Sequence, residues 1–348
     1  MKKKLDNEFP ANSNSFFVNL NRKTMKKIIQ NTAILALTIA LNVIVFGQGQ
    51  TFLSEVWTGV GGEMAVFYRN TTTTDNQRNV YVAGSTLNTN NNNDIIVQKF
   101  DRDGILLWQQ TFNGAANMDD MAADIFVDNN YNVYVTGTSI QNVNDNFDLV
   151  VLKYDSSGTL QWTYYYNNGA SPLPQDSGTA IVGDNNGSIY VTGCSFGNNS
   201  MSDYVTLRLN SSNGNKVWEK RYDYAQLNDV ASQIRFDGTN IYVSGGSQIS
   251  VSPNRWELAT IVYNASTGSE INVIRSNGNA TSGVDEVYDL SVDNSGNIYV
   301  TGAVVNQGTG YDISVYKLDN LLNIIWEEHF DGFGAEDKGF GVKTDSQR

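Results

Sequence analysis

Beyond residue 60 the chain is written in short apolar runs, each bounded by Asp, Asn, Ser or Gly. Runs such as Ile189-Tyr-Val191 and Leu149-Val-Val-Leu152 are rich in β-branched and aromatic residues, which read as strands. They do not alternate apolar with polar. Both faces of such strands have to be covered, as they are when one sheet lies upon another. No stretch after the leader keeps a helical period, so the class is all-β.

The runs also repeat. Tyr-Val-x-Gly stands at Tyr81–Gly84, Tyr134–Gly137, Tyr190–Gly193, Tyr242–Gly245 and Tyr299–Gly302, at spacings of 53, 56, 52 and 57. Four pieces recur in one order around each anchor. The first is an acid with a small residue two positions on: Asp120/Ala122, Asp176/Gly178, Asp229/Ala231 and Asp337/Gly339, with Val287 following Asp285. The second is the strand opened by Tyr81, Tyr134, Tyr190, Tyr242 or Tyr299. The third runs from an acid to Asp or Asn: Asp94–Asp101, Asp148–Asp155, Asp203–Asn210, Glu257–Asn264 and Asp312–Asp319. The fourth carries Trp108, Trp162, Trp218 or Trp326, and Asn272 fills that slot in the fourth unit. Asp155-Ser-Ser-Gly158 and Asp293-Asn-Ser-Gly-Asn297 put Gly where a hairpin turn needs a positive φ.

Four antiparallel strands per unit, repeated about every 54 residues, describe the blades of a β-propeller. The expected fold is an all-β propeller of four-stranded blades, about five blades and a partial sixth in an incomplete ring. Residues 1–24 read as an upstream start extension, 25–49 as a signal peptide and 50–348 as repeats. The blades fall at about 60–112, 120–167, 176–222, 229–276 and 285–330, with a partial blade at 337–348. The small residues are expected where inner strands crowd the axis. The tryptophans read as inter-blade packing, with ligand stacking as the other reading. Thr344–Arg348 nearly repeats Thr74–Arg78, which leads straight into the strand at Tyr81. The chain is therefore expected to be a fragment that stops inside a blade, because an open ring would expose sheet edges.

The full unit, from the opening acid to the tryptophan, stands most completely in residues 285–326 and nearly so in 120–162. It resembles the SBBP-type β-propeller repeat of secreted bacterial proteins, over essentially the whole chain after the leader. The resemblance implies the propeller fold. It implies little about function, which in that family is mostly unassigned.

The leader fits export. Met25-Lys26-Lys27, the apolar run Thr32 to Phe46 and Gly47-Gln48-Gly49 describe a secretory signal peptide cleaved after Gly47 or Gly49. A membrane anchor is the other reading, but the run is shorter than the about 20 residues a span needs, and Asn42 interrupts it. Without a membrane span, the mature protein is expected to be secreted or on the outer cell surface. Residues 1–47 carry seven Lys/Arg and two Asp/Glu, so their removal takes the net charge from −13 to −18. Such an acidic chain argues against nucleic acid and anionic membranes as partners. A lone cysteine, Cys194, excludes a disulfide framework and a cysteine zinc site, and a lone histidine, His329, excludes a multi-histidine metal site.

The variable connections are Leu87–Asn93, Ile140–Phe147 and Gln248–Arg255 between second and third strands, and Asn168–Gln175 between blades. Antiparallel order puts them on one face, where function concentrates in repeat scaffolds. Asp120, Asp176, Asp229, Asp285 and Asp337 open strands on that face. They read either as acceptors of backbone N–H groups at loop-to-strand junctions or as a carboxylate rim at the channel mouth. Such a rim would attract a basic ligand or a cation; calcium is the one cofactor considered. Enzyme signatures are weak. His329 sits on an outer strand and reads as an incidental polar residue, and no spacing picks out a glycosidase carboxylate pair. Asp155…Gly158…Trp162 is similar to the sialidase Asp-box but has one residue more in each gap. Asn210…Gly214…Trp218 is similar to the tryptophan-docking motif of quinoprotein propellers, a series that Asn272 breaks. Asp293–Asn297 resembles half a calcium loop without the later bidentate acid. The expected function is an exported, non-catalytic scaffold or binding module for an extracellular glycan or protein. The alternative is an extracellular propeller enzyme, glycosidase or lyase, acting on polysaccharide.

Overall fold

Strands that are apolar on both faces need a sheet on each side, and the molecule supplies them in chain order. The computed structural model describes residues 65–66, 72–142, 146–169, 175–197 and 201–345. The leader, its cleavage site and the last three residues lie outside the described residues, as does Phe52–Trp57, which in the sequence reads as a fourth-type strand with no blade of its own. Among the described residues there is no helix, and the strands form five separate sheets.

The first sheet holds β1 (Ala65–Val66), β2 (Thr72–Thr74), β3 (Val80–Leu87), β4 (Asn93–Phe100) and β5 (Leu106–Phe112). Its inner edge is made in two pieces, because β1 and β2 both pair with β3. The second holds β6 (Asp120–Val127), β7 (Val133–Ser139), β8 (Asp148–Tyr154) and β9 (Leu160–Tyr166). The third holds β10 (Asp176–Gly183), β11 (Ser188–Phe196), β12 (Ser202–Asn210) and β13 (Lys216–Tyr222). The fourth holds β14 (Asp229–Phe236), β15 (Asn240–Val251), β16 (Asn254–Asn264) and β17 (Glu270–Ser276). A short β18 (Gly283–Val284) adds to it by pairing parallel to β16. The fifth holds β19 (Glu286–Val292), β20 (Ile298–Asn306), β21 (Gly310–Leu318) and β22 (Ile324–Phe330).

Apart from β18 each sheet is an antiparallel meander, and inner strands pack between neighbouring sheets: β3 against β6, β6 against β10, β10 against β14, and β14 against β19. The fold is a β-propeller of four-stranded blades. Its core lies between blades. One apolar cluster joins Tyr81, Ile95 and Val97 to Val133, Val135 and Leu152. Another joins Tyr134, Leu149 and Val151 to Val191, Val205 and Leu207. Further clusters seal the third blade to the fourth and the fourth to the fifth. Beyond β22, residues 337–345 lie along the fifth blade, Gly339 N–H donating to the Gly302 carbonyl at 3.2 Å and Val342 N–H to Asp289 at 3.1 Å.

The repeat motif has a local cause. In β6, β10, β14 and β19 the register slips by one residue, between Ala122 and Asp124 in the second blade and at the matching place in the others. This bulge pushes the carbonyl of Met121 onto Gly137, where any Cβ would overlap it; Gly193, Gly245 and Gly302 meet the same obstruction. The Gly of Tyr-Val-x-Gly is thus required by its partner strand. Gly178 and Gly339, two positions after their opening acids, lie close against the preceding blade: a Cβ on Gly178 would overlap Thr136, and one on Gly339 would come within 2.5 Å of Thr301.

The tyrosines then brace each blade's own turn, and the tryptophans tie blade to blade. Tyr81, Tyr134, Tyr242 and Tyr299 donate their hydroxyls to Asp75, Asp128, Asp237 and Asp293 in the preceding turn, at 2.9, 3.1, 2.7 and 3.1 Å. Trp108, Trp162 and Trp218 each lie on a glycine of the next blade, Gly158, Gly214 and Gly268. Each indole N–H donates to a carbonyl of that same turn, on Ser156, Ser211 or Ala265, at 3.0 to 3.2 Å. Where Asn272 replaces tryptophan, the receiving glycine is replaced too. Leu322 stands there at φ +66° and 2% exposure, and Asn272 Nδ2 donates to Leu321 O at 2.6 Å. Trp326 is 40% exposed, with no following turn among the described residues to receive it.

Candidate functional site

Meander order sends the second-to-third strand loops and the inter-blade crossovers to one face, and hydrogen bonds show them meeting there. Asn92 Nδ2 reaches Asn117 O at 2.6 Å, Asp176 N–H reaches Phe147 O at 2.8 Å and Gln248 N–H reaches Asn228 O at 2.7 Å. The tight turns meet on the other face, as Asn129 N–H does with Asn185 at 3.0 Å.

The five opening aspartates sit just beneath the variable face, and four of them are buried. Each accepts a backbone N–H from the crossover that precedes it: Gly114 to Asp120 at 2.7 Å, Asn168 to Asp176 at 3.1 Å and Tyr224 to Asp229 at 2.7 Å. Gly278 donates to Asp285 at 3.1 Å and Gly332 to Asp337 at 2.6 Å. Val305 N–H at 2.7 Å adds to Asp285, and the Ser247 hydroxyl adds to Asp229. Each of these acids thus accepts an amide at a loop-to-strand junction, and Asp285 accepts two, which is the geometry of the first of their two readings. Burial nevertheless pushes the carboxyls of Asp120, Asp229 and Asp285 up to about 6, and raises Asp176.

A second set of charges, which the repeat motif alone does not mark, lies on the inner strands. The bulge turns Asp124 toward the next blade, where it accepts Ile181 N–H at 2.8 Å. Asp289 does the same to Val342 N–H and also receives Arg235 at 2.8 Å. Burial pushes Asp124 up to about 7, against the pull of its two amide donors and of Arg235. Asp124 and Asp289 each stand four residues after an opening acid, so a D-x-x-x-D pair was the available signal. His329 lies away from all of these, its ring within 2.7 Å of Glu327 and edge-on to Tyr316.

The variable face carries a cleft of about 390 Å³ on the first blade, lined by Asn88, Thr89, Asn90, Asp94, Thr111 and Asn113 among others. Its lining is amide and hydroxyl with one acid. Burial raises the Asp94 carboxyl while the Asn88 amide, 2.8 Å away, holds it in place. Loop composition alone pointed to this face. The cleft itself depends on how the Asn113–Asn117 crossover folds back over the Asn88–Asn92 loop.

Comparison with known proteins adds a family. Residues 54–301, well over half of the 348, match the family described as outer membrane protein assembly factor BamB. The chain belongs to that family. No curated protein sequence matches it. Among solved structures it is similar to the quinohemoprotein alcohol dehydrogenase of Comamonas testosteroni, with TM-score 0.49 and 13% identity over 78% of this chain and 44% of that one. It is also similar to the α-L-arabinanase of Penicillium chrysogenum, with TM-score 0.49 and 10% identity over 76% of this chain and 80% of that one. The chain spans 54% of another such structure, a eukaryotic initiation factor. Among the described residues no helix is long and apolar enough to cross a membrane.

Proposed function

We propose that this member of the BamB family is an exported, non-catalytic propeller that binds a glycan on its variable-loop face. The observation that carries the reading is the division of labour among polar groups on that face. The five opening aspartates each accept a backbone amide beneath the crossovers, and Asp94, the acid in the cleft lining, accepts the Asn88 side-chain amide at 2.8 Å. The side chains left to line the cleft, such as Asn90, Thr89 and Thr111, are neutral donors and acceptors suited to sugar hydroxyls. The SBBP-like repeat and the basic–apolar leader support export.

A second reading, a scaffold that holds other proteins during assembly at an outer membrane, is favoured by the family description itself. Glycan-array binding with Thr111→Arg as the comparison separates the two. Thr111 is exposed in the cleft wall, so arginine there fills the cleft without entering the core. The first reading expects array binding that Thr111→Arg abolishes. Array binding that survives the substitution, or release of reducing ends from a bound polysaccharide, overturns it.

A further inference from the structure

An acid opens the third strand of every blade and faces the end of the fourth strand, and beyond the first blade the fold provides for it. Asp203 and Glu257 receive cations, Arg221 at 2.6 Å and Arg275 at 3.1 Å. Asp148 takes two neutral donors, the Asn167 amide at 2.6 Å and the Gln141 amide. Asp312 also takes two, Asn306 at 2.7 Å and Thr309 at 2.9 Å.

In the first blade the acid is Asp94, and both devices are withdrawn. The register pairs Ile96 with Thr111, which puts threonine where the third blade has Arg221 opposite Val205 and the fourth has Arg275 opposite Ala259. Asn113 stands where Asn167 does, but its amide turns away to Asn117 Oδ1 at 2.5 Å. Asp94 keeps the Asn88 amide at 2.8 Å, the counterpart of Asn306, each standing six residues before its acid. Among the described residues no Lys or Arg pairs with Asp94. What lies beside it instead is the cleft of about 390 Å³, with Asp94, Thr111 and Asn113 in its lining and no Lys, Arg or His among the described residues there.

The repeat thus places a guanidinium on this acid in two blades and leaves an open cleft in its place in the first. One amide fills a minor share of a carboxylate's acceptor sites, and a charged donor makes the stronger bond to those that remain. Resting on the glycan reading above, we propose that the cleft selects sugars bearing a free amine, of the glucosamine kind, whose ammonium takes at Asp94 the place that arginine takes at Asp203 and Glu257. Thr89, Asn90 and Thr111 are left for the ring hydroxyls, and Leu87, 50% exposed in the lining, offers an apolar surface to the C–H face of a sugar. An N-acetylated sugar brings no charge to Asp94, and a uronic acid brings the wrong sign. The size of the cleft and its neutral lining favour a sugar over a basic peptide, for which a broad acidic surface would serve as well.

The test is calorimetric titration of the full chain with a chitosan tetramer and with its fully N-acetylated counterpart, alongside thermal melts. The amine tetramer is expected to bind about tenfold or more tightly than the N-acetylated one, a preference erased in Asp94→Asn. Thr111→Arg, at an exposed position, should set its own guanidinium on Asp94 as Arg221 does on Asp203. It should lose the amine tetramer while melting no lower than the unmodified chain. Equal or tighter binding of the N-acetylated tetramer, an unchanged preference in Asp94→Asn, or full binding by Thr111→Arg overturns the inference, and the glycan reading survives if other sugars still bind. A lysine tetrapeptide bound as tightly as the amine tetramer also overturns it, since charge alone is then recognised. Binding of no sugar of any class overturns the inference and the glycan reading together.

Discussion

Replacing Gly214 by alanine tests the inter-blade lock most directly. Gly214 sits at φ +74°, and a Cβ built there lies 2.9 Å from two carbons of the Trp162 ring. Two costs add. Holding an L-residue in the left-handed region costs about 1–2 kcal/mol. Pushing the indole off the turn, and lengthening its 3.2 Å bond to Ser211 O, adds an overpacking cost of about 1–3 kcal/mol. Gly169→Ala provides the reference. Its φ is +68°, but nothing lies within 4 Å of the new Cβ, so only the backbone cost applies. Urea unfolding followed by circular dichroism reads the two losses from the shift in midpoint at unchanged slope. Gly214→Ala should lose about 1–3 kcal/mol more than Gly169→Ala. If the two fall within about 0.5 kcal/mol of each other, the indole is not fixed on the turn and the lock is refuted.

The natural Asn272–Leu322 pair suggests a rescue: Trp162→Asn with Gly214→Leu should lose less stability than the two single changes summed, by at least about 0.5 kcal/mol. Additive losses in that unfolding cycle would deny the coupling. Acidity should also matter in a defined direction. The folded-state carboxyls of Asp120, Asp229 and Asp285 near 6 and Asp124 near 7 lie above the unfolded value of 3.8, so the folded state holds more protons and stability falls as pH rises from about 4 to 7. Asp75, Asp155, Asp293 and Asp319 are lowered by their turn hydrogen bonds, so their contribution is lost only below 3.8. The melting temperature should therefore peak near about pH 4–5, and Asp229→Asn should flatten the fall above it; a peak at neutral pH refutes the assignment. Finally, Asp293 accepts two backbone amides, the Asn297 amide and the Tyr299 hydroxyl at 2.8 to 3.1 Å. Asp293→Ala should cost about 2–3 kcal/mol in the same urea assay, and a loss under about 0.5 kcal/mol would make the turn dispensable.

Much of the fold was legible in the residues because each local choice answers a local demand. Tyr-Val-x-Gly reads as a strand covered on both faces, and the structure buries Tyr81, Tyr134, Tyr190 and Tyr242 between blades. The tryptophan slot reads as packing, and Trp108, Trp162 and Trp218 lie on the next blade's turn. The site was legible only to the level of a face. Loop composition marks where chain length is free to vary, yet it carries no information on which loops fold against each other. The cleft between Asn88 and Asn113 depends on that meeting, and so was not readable in advance.

By itself the sequence determined strand content, blade order and the turn chemistry, since each depends on residues close in the chain: a φ requirement, an Asx bond, a run apolar on both sides. Tertiary structure alone decided what the charged residues do. Whether Asp203 finds Arg221 or Asp124 finds the Ile181 amide rests on which strands the fold brings together. A carboxylate's role follows from its nearest donors and its distance from water, and here both are supplied by residues many positions away.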